Sequence, residues 1–181
     1  MFAKAGIPWQ GRVYPAARLF KYLQDGTSQF SILVKAPALQ ACCLFSRSPV
    51  ATAEIRAYHL ADRARPRKLD DLAGKRVIVV HGYSYGGLLG FVNDERNRIT
   101  VSAALTHESA FKMLERGRAD YVIDYAGPGN EVLTQNPMPG VQSALLSRQD
   151  VYLVLSRTYP DAHKVMERLE QIVSTLDVEQ I

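Results

Sequence analysis

Residues 76–92 read RVIVVHGYSYGGLLGFV, and this stretch decides the fold class. Its first five residues form a largely apolar and β-branched run, which predicts a strand buried on both faces. The glycine-rich residues 82–87 predict a tight turn, and residues 88–92 predict the start of a helix. Because a second helix and strand follow over residues 106–125, strands alternate with helices. This alternation is typical of parallel βαβ units and predicts an α/β fold.

The elements outside this stretch are weaker signals. Thr106 and Ser109 are both suitable caps for a helix that ends at Gly117. The strand that follows, residues 120–125, has Asp124 near its carboxyl end. The other predicted elements are helix 14–23 stopped at Gly26, strand 30–34, a short helix 36–44, strand 54–60, one or two strands over 142–156, and a final helix from 159.

Composition excludes several classes of function. The chain has 181 residues, 47% of them hydrophobic and 22% charged, with a net charge of +4. It has no long apolar run, so no transmembrane helix is predicted, and residues 1–8 lack the features of a secretory signal. The basic run 63–68 lies around a proline without interleaved aromatic residues, which favours a solvated loop over a nucleic-acid site. We expect no nucleic-acid partner.

The two cysteines, Cys42 and Cys43, are adjacent. Neighbouring residues seldom meet the geometry of an ordinary disulfide, so buried free thiols are the favoured interpretation. Four scattered histidines do not complete a metal site. We expect neither a metal nor a cofactor.

One motif suggests an enzyme. Residues 82–86 match the G-x-S-x-G turn of serine hydrolases, with Ser84 as the nucleophile, Asp124 or Asp150 as the acid and His163 as the base. The preceding 75 residues, however, do not resemble a hydrolase, and His163 falls in a predicted helix rather than a loop. Ser84 could instead cap the helix that starts nearby. We therefore predict a protein that is not an enzyme and has no catalytic residues, with the hydrolase kept as an alternative.

Several segments in order resemble bacterial extracellular solute-binding proteins of family 3, which serve ABC transporters for polar amino acids. The segments that carry the resemblance are LDDLAGKRVIVVHG at 69–82, ESAFKMLERGRADYVID at 108–124 and VYLVLSRTYPD at 151–161, with weaker matches at 15–18, 23–26 and 45–49. No single segment is specific, but the ordered set spans nearly the whole chain.

The resemblance implies the type II periplasmic-binding-protein fold, with two lobes joined by two crossing strands. The implied first lobe is 1–54 plus 155–181, and the second is 55–154. The resemblance also implies that the family's first strand and helix are absent from this chain, which would expose a sheet edge and permit a homodimer. It further implies a periplasmic location, a small-molecule ligand held between the lobes, and an ABC permease or a membrane sensor as partner.

The resemblance also implies a set of ligand-binding residues. They are Lys35 and Ala36 in the first lobe, and Gly82, Tyr83, Ser84, Tyr85, Asp124 and Tyr125 in the second. The family's matching acid holds the ligand ammonium, which gives that role to Asp124; its alternative role is to cap a helix from Gly127. Lys35 is alternatively a solvated surface lysine, and the tyrosines alternatively pack against the sheet.

One departure from the family concerns the arginine that holds the ligand carboxylate. Leu39 stands at its position, and leucine cannot make that bidentate contact. The sequence therefore favours a ligand with a cationic or polar head. A sensory or interaction domain without a transport role remains a further alternative.

Overall fold

The computed structural model describes residues 1–176, and the chain divides into two compact units. One unit is Met1–Thr52 with the chain from Asp150 onward, and the other is Ala53–Gln149. The lobes predicted from the sequence, with boundaries after residues 54 and 154, stay a prediction. Residues 177–181 of the predicted first lobe lie outside the described residues.

The first unit surrounds the carboxyl-terminal part of one long strand. Its own elements are α1 (Ala16–Asp25), β1 (Phe30–Val34), β2 (Cys43–Phe45) and α5 (Ala162–Val173). The long strand β7 (Val141–Ser156) pairs antiparallel with both β1 and β2. Its prediction as a single strand over 142–156 is confirmed.

The helices predicted near the two ends of the chain, α1 and α5, are confirmed. Helix α1 ends where Gly26 adopts a φ of +80°, as the sequence predicts. Val165, Leu169 and Ile172 of α5 pack on one apolar cluster with Leu153 and Leu155 of β7. The predicted helix 36–44 was wrong: Pro37–Leu39 form a single 3-10 turn, after which the chain becomes β2.

One edge of β1 is unpaired. Within the described residues β1 pairs only with β7, so its other edge is available for hydrogen bonding. Dimerisation through this edge stays a prediction.

The second unit is a parallel sheet with one antiparallel strand. Its elements are β3 (Ala51–Leu60), β4 (Arg76–Val80), α2 (Leu88–Val92), β5 (Thr100–Ala104), α3 (His107–Glu115), β6 (Tyr121–Tyr125) and α4 (Ala126–Gln135). The strand order is β3-β6-β4-β5, with β4 parallel to β5 and β6, and β3 antiparallel to β6. Strands β3 and β7 each pass from one unit to the other.

The central strand β4 is buried on both faces, as predicted. Ile78 and Val80 join an apolar cluster on one face together with Phe111 of α3. Val77 and Val79 join a second cluster on the other face. Because alternate residues of a strand point to opposite faces, this division follows directly from the run of apolar residues.

In residues 1–176 every helix is too short or too polar to cross a lipid bilayer.

Candidate functional site

The candidate site lies in the second unit, where the parallel strands β4, β5 and β6 end. Carboxyl ends of parallel strands meet at one edge of a sheet, where open α/β sheets bind their ligands. Asp124 is the penultimate residue of β6 and is 0% exposed. The glycine-rich turn follows β4, and helix α3 begins three residues after β5. The topology thus brings three separate segments to Asp124.

Asp124 forms a hydrogen bond with a histidine. Its Oδ2 lies 2.6 Å from Nδ1 of His107, and its Oδ1 accepts the backbone N–H of Tyr125 at 2.8 Å. His107 is the first residue of α3, and its side chain is 25% exposed. The His107 imidazole therefore lies between the buried Asp124 carboxylate and the solvent.

A tyrosine extends this chain of hydrogen bonds. The hydroxyl of Tyr83 lies 3.3 Å from Nε2 of His107. A neutral imidazole satisfies both contacts when Nδ1–H donates to Asp124 and Nε2 accepts from the Tyr83 hydroxyl. Burial, followed by the nearby Asp124 carboxylate, raises the pKa of Tyr83. Tyr83 therefore stays a neutral hydroxyl over the physiological pH range.

Three tyrosine rings pack beside this chain. The ring centroids of Tyr83 and Tyr85 are 5.9 Å apart, and Tyr125 lies 5.8 Å from Tyr83 and 5.4 Å from Tyr85. Burial raises the pKa of Tyr125 to about 12, with Tyr83 and Asp124 as further causes. Tyr83 and Tyr125 are partly exposed, so both offer aromatic surface beside His107.

Tyr85 has a structural position within this group. Its side chain is fully buried, and its hydroxyl accepts the backbone N–H of Val80 at 2.8 Å. Its φ of +50° is unusual for a non-glycine residue. The packing alternative from the sequence therefore describes Tyr85, whereas Tyr83 combines packing with an exposed face.

The glycine-rich turn leads into a helix at the position that the sequence predicts. Regular helix α2 begins only at Leu88, with Gly87 as its N-cap. Ser84 is not the side-chain cap of this helix; its carbonyl oxygen accepts the N–H groups of Gly87 and Leu89. Four left-handed residues, Gly82, Tyr85, Gly86 and Gly87, shape the turn instead. Residues 82–85 therefore belong to the turn before α2, and the predicted helix start at Leu88 is confirmed.

The capping alternative for Asp124 was also wrong. Helix α4 begins at Ala126 with Tyr125 as N-cap, and no side chain caps it. The predicted cap at the start of α3, in contrast, is confirmed, because the side chains of Thr106 and Ser109 each accept the other's backbone N–H at 3.1 Å. That cap fixes the first turn of α3 and with it the position of His107.

An arginine lies opposite Asp124 in the sheet. Arg56 pairs with Asp124 in the register of β3 and β6, which places the two side chains on one face. The guanidinium donates to Glu54, at 2.6 Å from Nη2 to Oε2, and to the Ser143 hydroxyl at 3.0 Å. Arg148 also donates to Glu54, and these two arginines lower its pKa, Arg56 first.

Lys35, Ala36 and Leu39 belong to the first unit. Lys35 is exposed, with Nζ 4.1 Å from the ring centroid of Tyr152, a cation–π contact. Ala36 precedes the 3-10 turn, and Leu39 is fully buried against Leu23 and Val154. Leu39, for which the resemblance implied the arginine position, is thus a core residue.

The hydrolase alternative loses its predicted geometry. Asp124 pairs with His107, whereas His163 lies exposed on α5 in the other unit. Within residues 1–176 no hydrogen bond links the Ser84 side chain to a histidine.

Sequence reasoning missed His107 and Arg56. The available signal for His107 was its place as the first residue of the helix that precedes the strand carrying Asp124. For Arg56 the only signal was a charged residue between the apolar Ile55 and Ala57 of a strand. Neither residue could be assigned a partner without the register of the sheet.

The sequence matches no known protein family and no curated protein. Solved structures do resemble it. It is similar to the Gly52Ala mutant of arginine-bound ArgBP from T. maritima, with a TM-score of 0.77 and 19% identity over 97% of this chain and 80% of that one. The fold is that of the type II periplasmic binding proteins.

Two further structures support this fold. The GluR0 ligand-binding core in complex with L-glutamate gives a TM-score of 0.80 at 14% identity, over 99% of this chain and 82% of that one. A histidine kinase sensor domain with similarity to periplasmic binding proteins gives 0.79 at 15% identity, over 96% and 74%. The predicted fold class is confirmed.

Proposed function

We propose that the protein binds a small polar solute with a cationic head and serves ABC-type uptake or sensing, outside the cytoplasmic membrane. The observation that carries the proposal is the buried Asp124 carboxylate at the carboxyl edge of a parallel sheet, next to the partly exposed His107 imidazole. A buried carboxylate of this kind is costly unless it is paired. An alkylammonium group that replaces the imidazole keeps the carboxylate paired and adds a full positive charge.

The surrounding residues fit a cationic group. Tyr83 and Tyr125 present partly exposed ring faces beside His107, and aromatic faces attract cations. Leu39 cannot bind a ligand carboxylate, which leaves the cationic end of the solute as the recognised group. Two similar structures hold ligands of this size, since an ancestral arginine-binding protein is bound to arginine and the GluR0 ligand-binding core is in complex with L-glutamate.

The remaining residues of the predicted site have lesser roles in this proposal. Gly82 and Ser84 shape the turn that carries Tyr83, and Tyr85 supports that turn from within. The ligand-binding roles predicted for Lys35 and Ala36 of the first unit stay predictions.

Thermal unfolding against a panel of candidate solutes tests the proposal. The panel contains arginine, lysine, ornithine, polyamines, glutamate and small carboxylates. A ligand at about 100 times its Kd adds about 2.7 kcal/mol to the free energy of unfolding. For a chain of this size that raises the unfolding midpoint by roughly 5–10 °C. Cationic solutes should produce this shift, and glutamate and the carboxylates should not.

The Asp124→Asn variant provides the site-specific control. It should abolish the shift, whereas Asp62→Asn, which changes an exposed loop aspartate of the same unit, should keep it. Circular dichroism confirms that both variants are folded. A shift that survives in a folded Asp124→Asn protein, or a panel without any shift for the unmodified protein, contradicts this function.

A further inference from the structure

The two adjacent thiols of the first unit lie in contact. Sγ of Cys42 is 3.3 Å from Sγ of Cys43, and both cysteines are free. Cys42 ends a turn, and Cys43 is the first residue of β2. Because the backbone before β2 is a turn rather than a paired strand, the Cys42 side chain has room to approach its neighbour.

The two thiols have different surroundings. Cys42 is partly exposed, whereas Cys43 is 2% exposed and packs with Leu23, Leu39 and Val154. Burial, with a further contribution from Cys42, raises the pKa of Cys43 to about 12. Since the thiolate is the nucleophile in thiol–disulfide exchange, Cys42 is the thiol that an external reagent reaches and that reacts first. Cys43 is close enough to attack Sγ of Cys42 in a second step.

We propose that Cys42 and Cys43 form a dithiol oxidation site that a low-molecular-weight disulfide closes into an intramolecular disulfide. The Cys42 thiolate attacks one sulfur of the reagent disulfide, forms a mixed disulfide and releases one reagent thiolate. Cys43 loses its proton to solvent, and its thiolate attacks Sγ of Cys42. The second reagent thiolate then leaves. The protein loses two electrons and two protons, and the reagent disulfide becomes two thiols. This site involves no part of the solute-binding proposal.

Local geometry makes this bond reversible rather than structural. Consecutive Cα atoms lie about 3.8 Å apart across a trans peptide, whereas ordinary disulfides join Cα atoms at least about 4.4 Å apart. The eight-membered ring is therefore strained, and strained disulfides are more readily reduced. Closing it also removes two S–H donors, from Cys42 to the Leu39 carbonyl at 3.4 Å and from Cys43 to the Leu23 carbonyl at 3.9 Å.

Oxidised glutathione is the probe. The reduced, folded protein is incubated with an excess of it, and intact mass, free thiol content and peptide mapping are measured over time. The unmodified protein should lose both thiols, end two hydrogen atoms lighter and carry the bond within the peptide that contains Cys42 and Cys43. Mild treatment with a dithiol reductant should restore both thiols.

Two single variants separate the steps. Cys43→Ser should stop at one stable glutathione adduct, because no thiol remains to displace it. Cys42→Ser should react at least roughly tenfold more slowly, because the remaining Cys43 thiol is 2% exposed and its burial raises its pKa.

Three results overturn the proposal. The first is a stable glutathione adduct on the unmodified protein. The second is a disulfide between two chains. The third is no reaction in the folded protein under conditions where the unfolded chain reacts fully. Circular dichroism of each variant before the reaction ensures that a folded site is compared in every case.

Discussion

Nδ1 of His107 lies 2.6 Å from the buried Oδ2 of Asp124, so the first residue of helix α3 pairs with the carboxylate near the end of strand β6. The imidazole occupies the position that a ligand ammonium would need in order to reach Oδ2. In the proposed function, binding is therefore an exchange: the cationic head of the solute replaces the imidazole. The properties of this pair lead to the first prediction.

Replacing His107 by alanine should change stability and affinity in opposite directions. The buried Asp124 carboxylate loses the hydrogen bond that it accepts from His107, so the free energy of unfolding should fall by about 1–3 kcal/mol. A cationic solute no longer displaces the imidazole, so its affinity should rise roughly tenfold, equivalent to about 1.4 kcal/mol. Denaturant unfolding and calorimetric titration measure the two effects. A loss of affinity would mean instead that His107 itself contacts the solute.

The tyrosine cluster predicts a loss of stability at alkaline pH. The pKa of Tyr125 is raised from its ordinary value of 10.0 to about 12, mainly by burial. Its contribution to stability is therefore complete below pH 10 and is lost as the pH rises through about 12, because the unfolded chain ionises first. Unfolding followed across this range should show the fall, and Tyr125→Phe should make it shallower. Tyr22→Phe, outside the cluster, serves as the control; an equal effect of both variants would contradict the assignment.

Gly86 and Gly90 form a matched pair for testing the turn. Gly86 has a φ of +63°, and a Cβ there would lie 2.4 Å from Cδ of Gln149. Gly86→Ala should therefore destabilise the protein by about 1–2 kcal/mol. Gly90 lies within α2 with open space around it, so Gly90→Ala should be neutral or stabilising by up to about 1 kcal/mol.

Removing the Gln149 side chain separates the steric part of the Gly86→Ala destabilisation from its conformational part. Gln149→Ala should recover the steric part of the Gly86→Ala effect and leave the conformational part. Thermal unfolding of the single and double variants measures this coupling. Equal destabilisation in the two glycine variants would show that the turn does not need its left-handed residue.

The hydrogen bonds of the Ser46 hydroxyl allow a test of what stabilises the first unit. Its buried hydroxyl donates to the carbonyl of Ser48 at 2.8 Å and accepts the backbone N–H of Leu153 in β7 at 3.1 Å. Ser46→Ala leaves that N–H without this acceptor, so the free energy of unfolding should fall by about 1–3 kcal/mol. Ser48→Ala keeps the carbonyl and should change stability by less than about 0.5 kcal/mol. Denaturant unfolding compares the two, and a neutral Ser46→Ala would show that this hydrogen bond adds little.

Local patterns were sufficient for the strongly periodic elements. The apolar run 76–80 became β4 with alternate residues in two clusters, and the caps of α3 and α1 are where the sequence places them. They failed for β2, which is three residues long and exists through its pairing with β7. They gave α4 only within the alternative role of Asp124, as a helix from Gly127, because its glycines and proline have low helix propensity.

At the candidate site, too, local sequence patterns predict some features and leave others undetermined. The position of Asp124 at the end of a strand follows from the sequence, because strand ends follow from the length of an apolar run. Its partner does not, because His107 lies seventeen positions away on another element. Ser84, which the motif offers as a nucleophile only in the alternative interpretation, lies in a turn held by backbone hydrogen bonds.

The sequence by itself determined the α/β class, the burial of β4 and the placement of an acid at the carboxyl edge of the parallel strands. These features depend on periodicity, propensity and caps, which act over a few residues. Only the tertiary structure decided that Asp124 pairs with His107, that Arg56 lies opposite Asp124 and that the thiols of Cys42 and Cys43 meet at 3.3 Å. Those contacts depend on strand register and on side-chain burial, which are set by residues far apart along the chain.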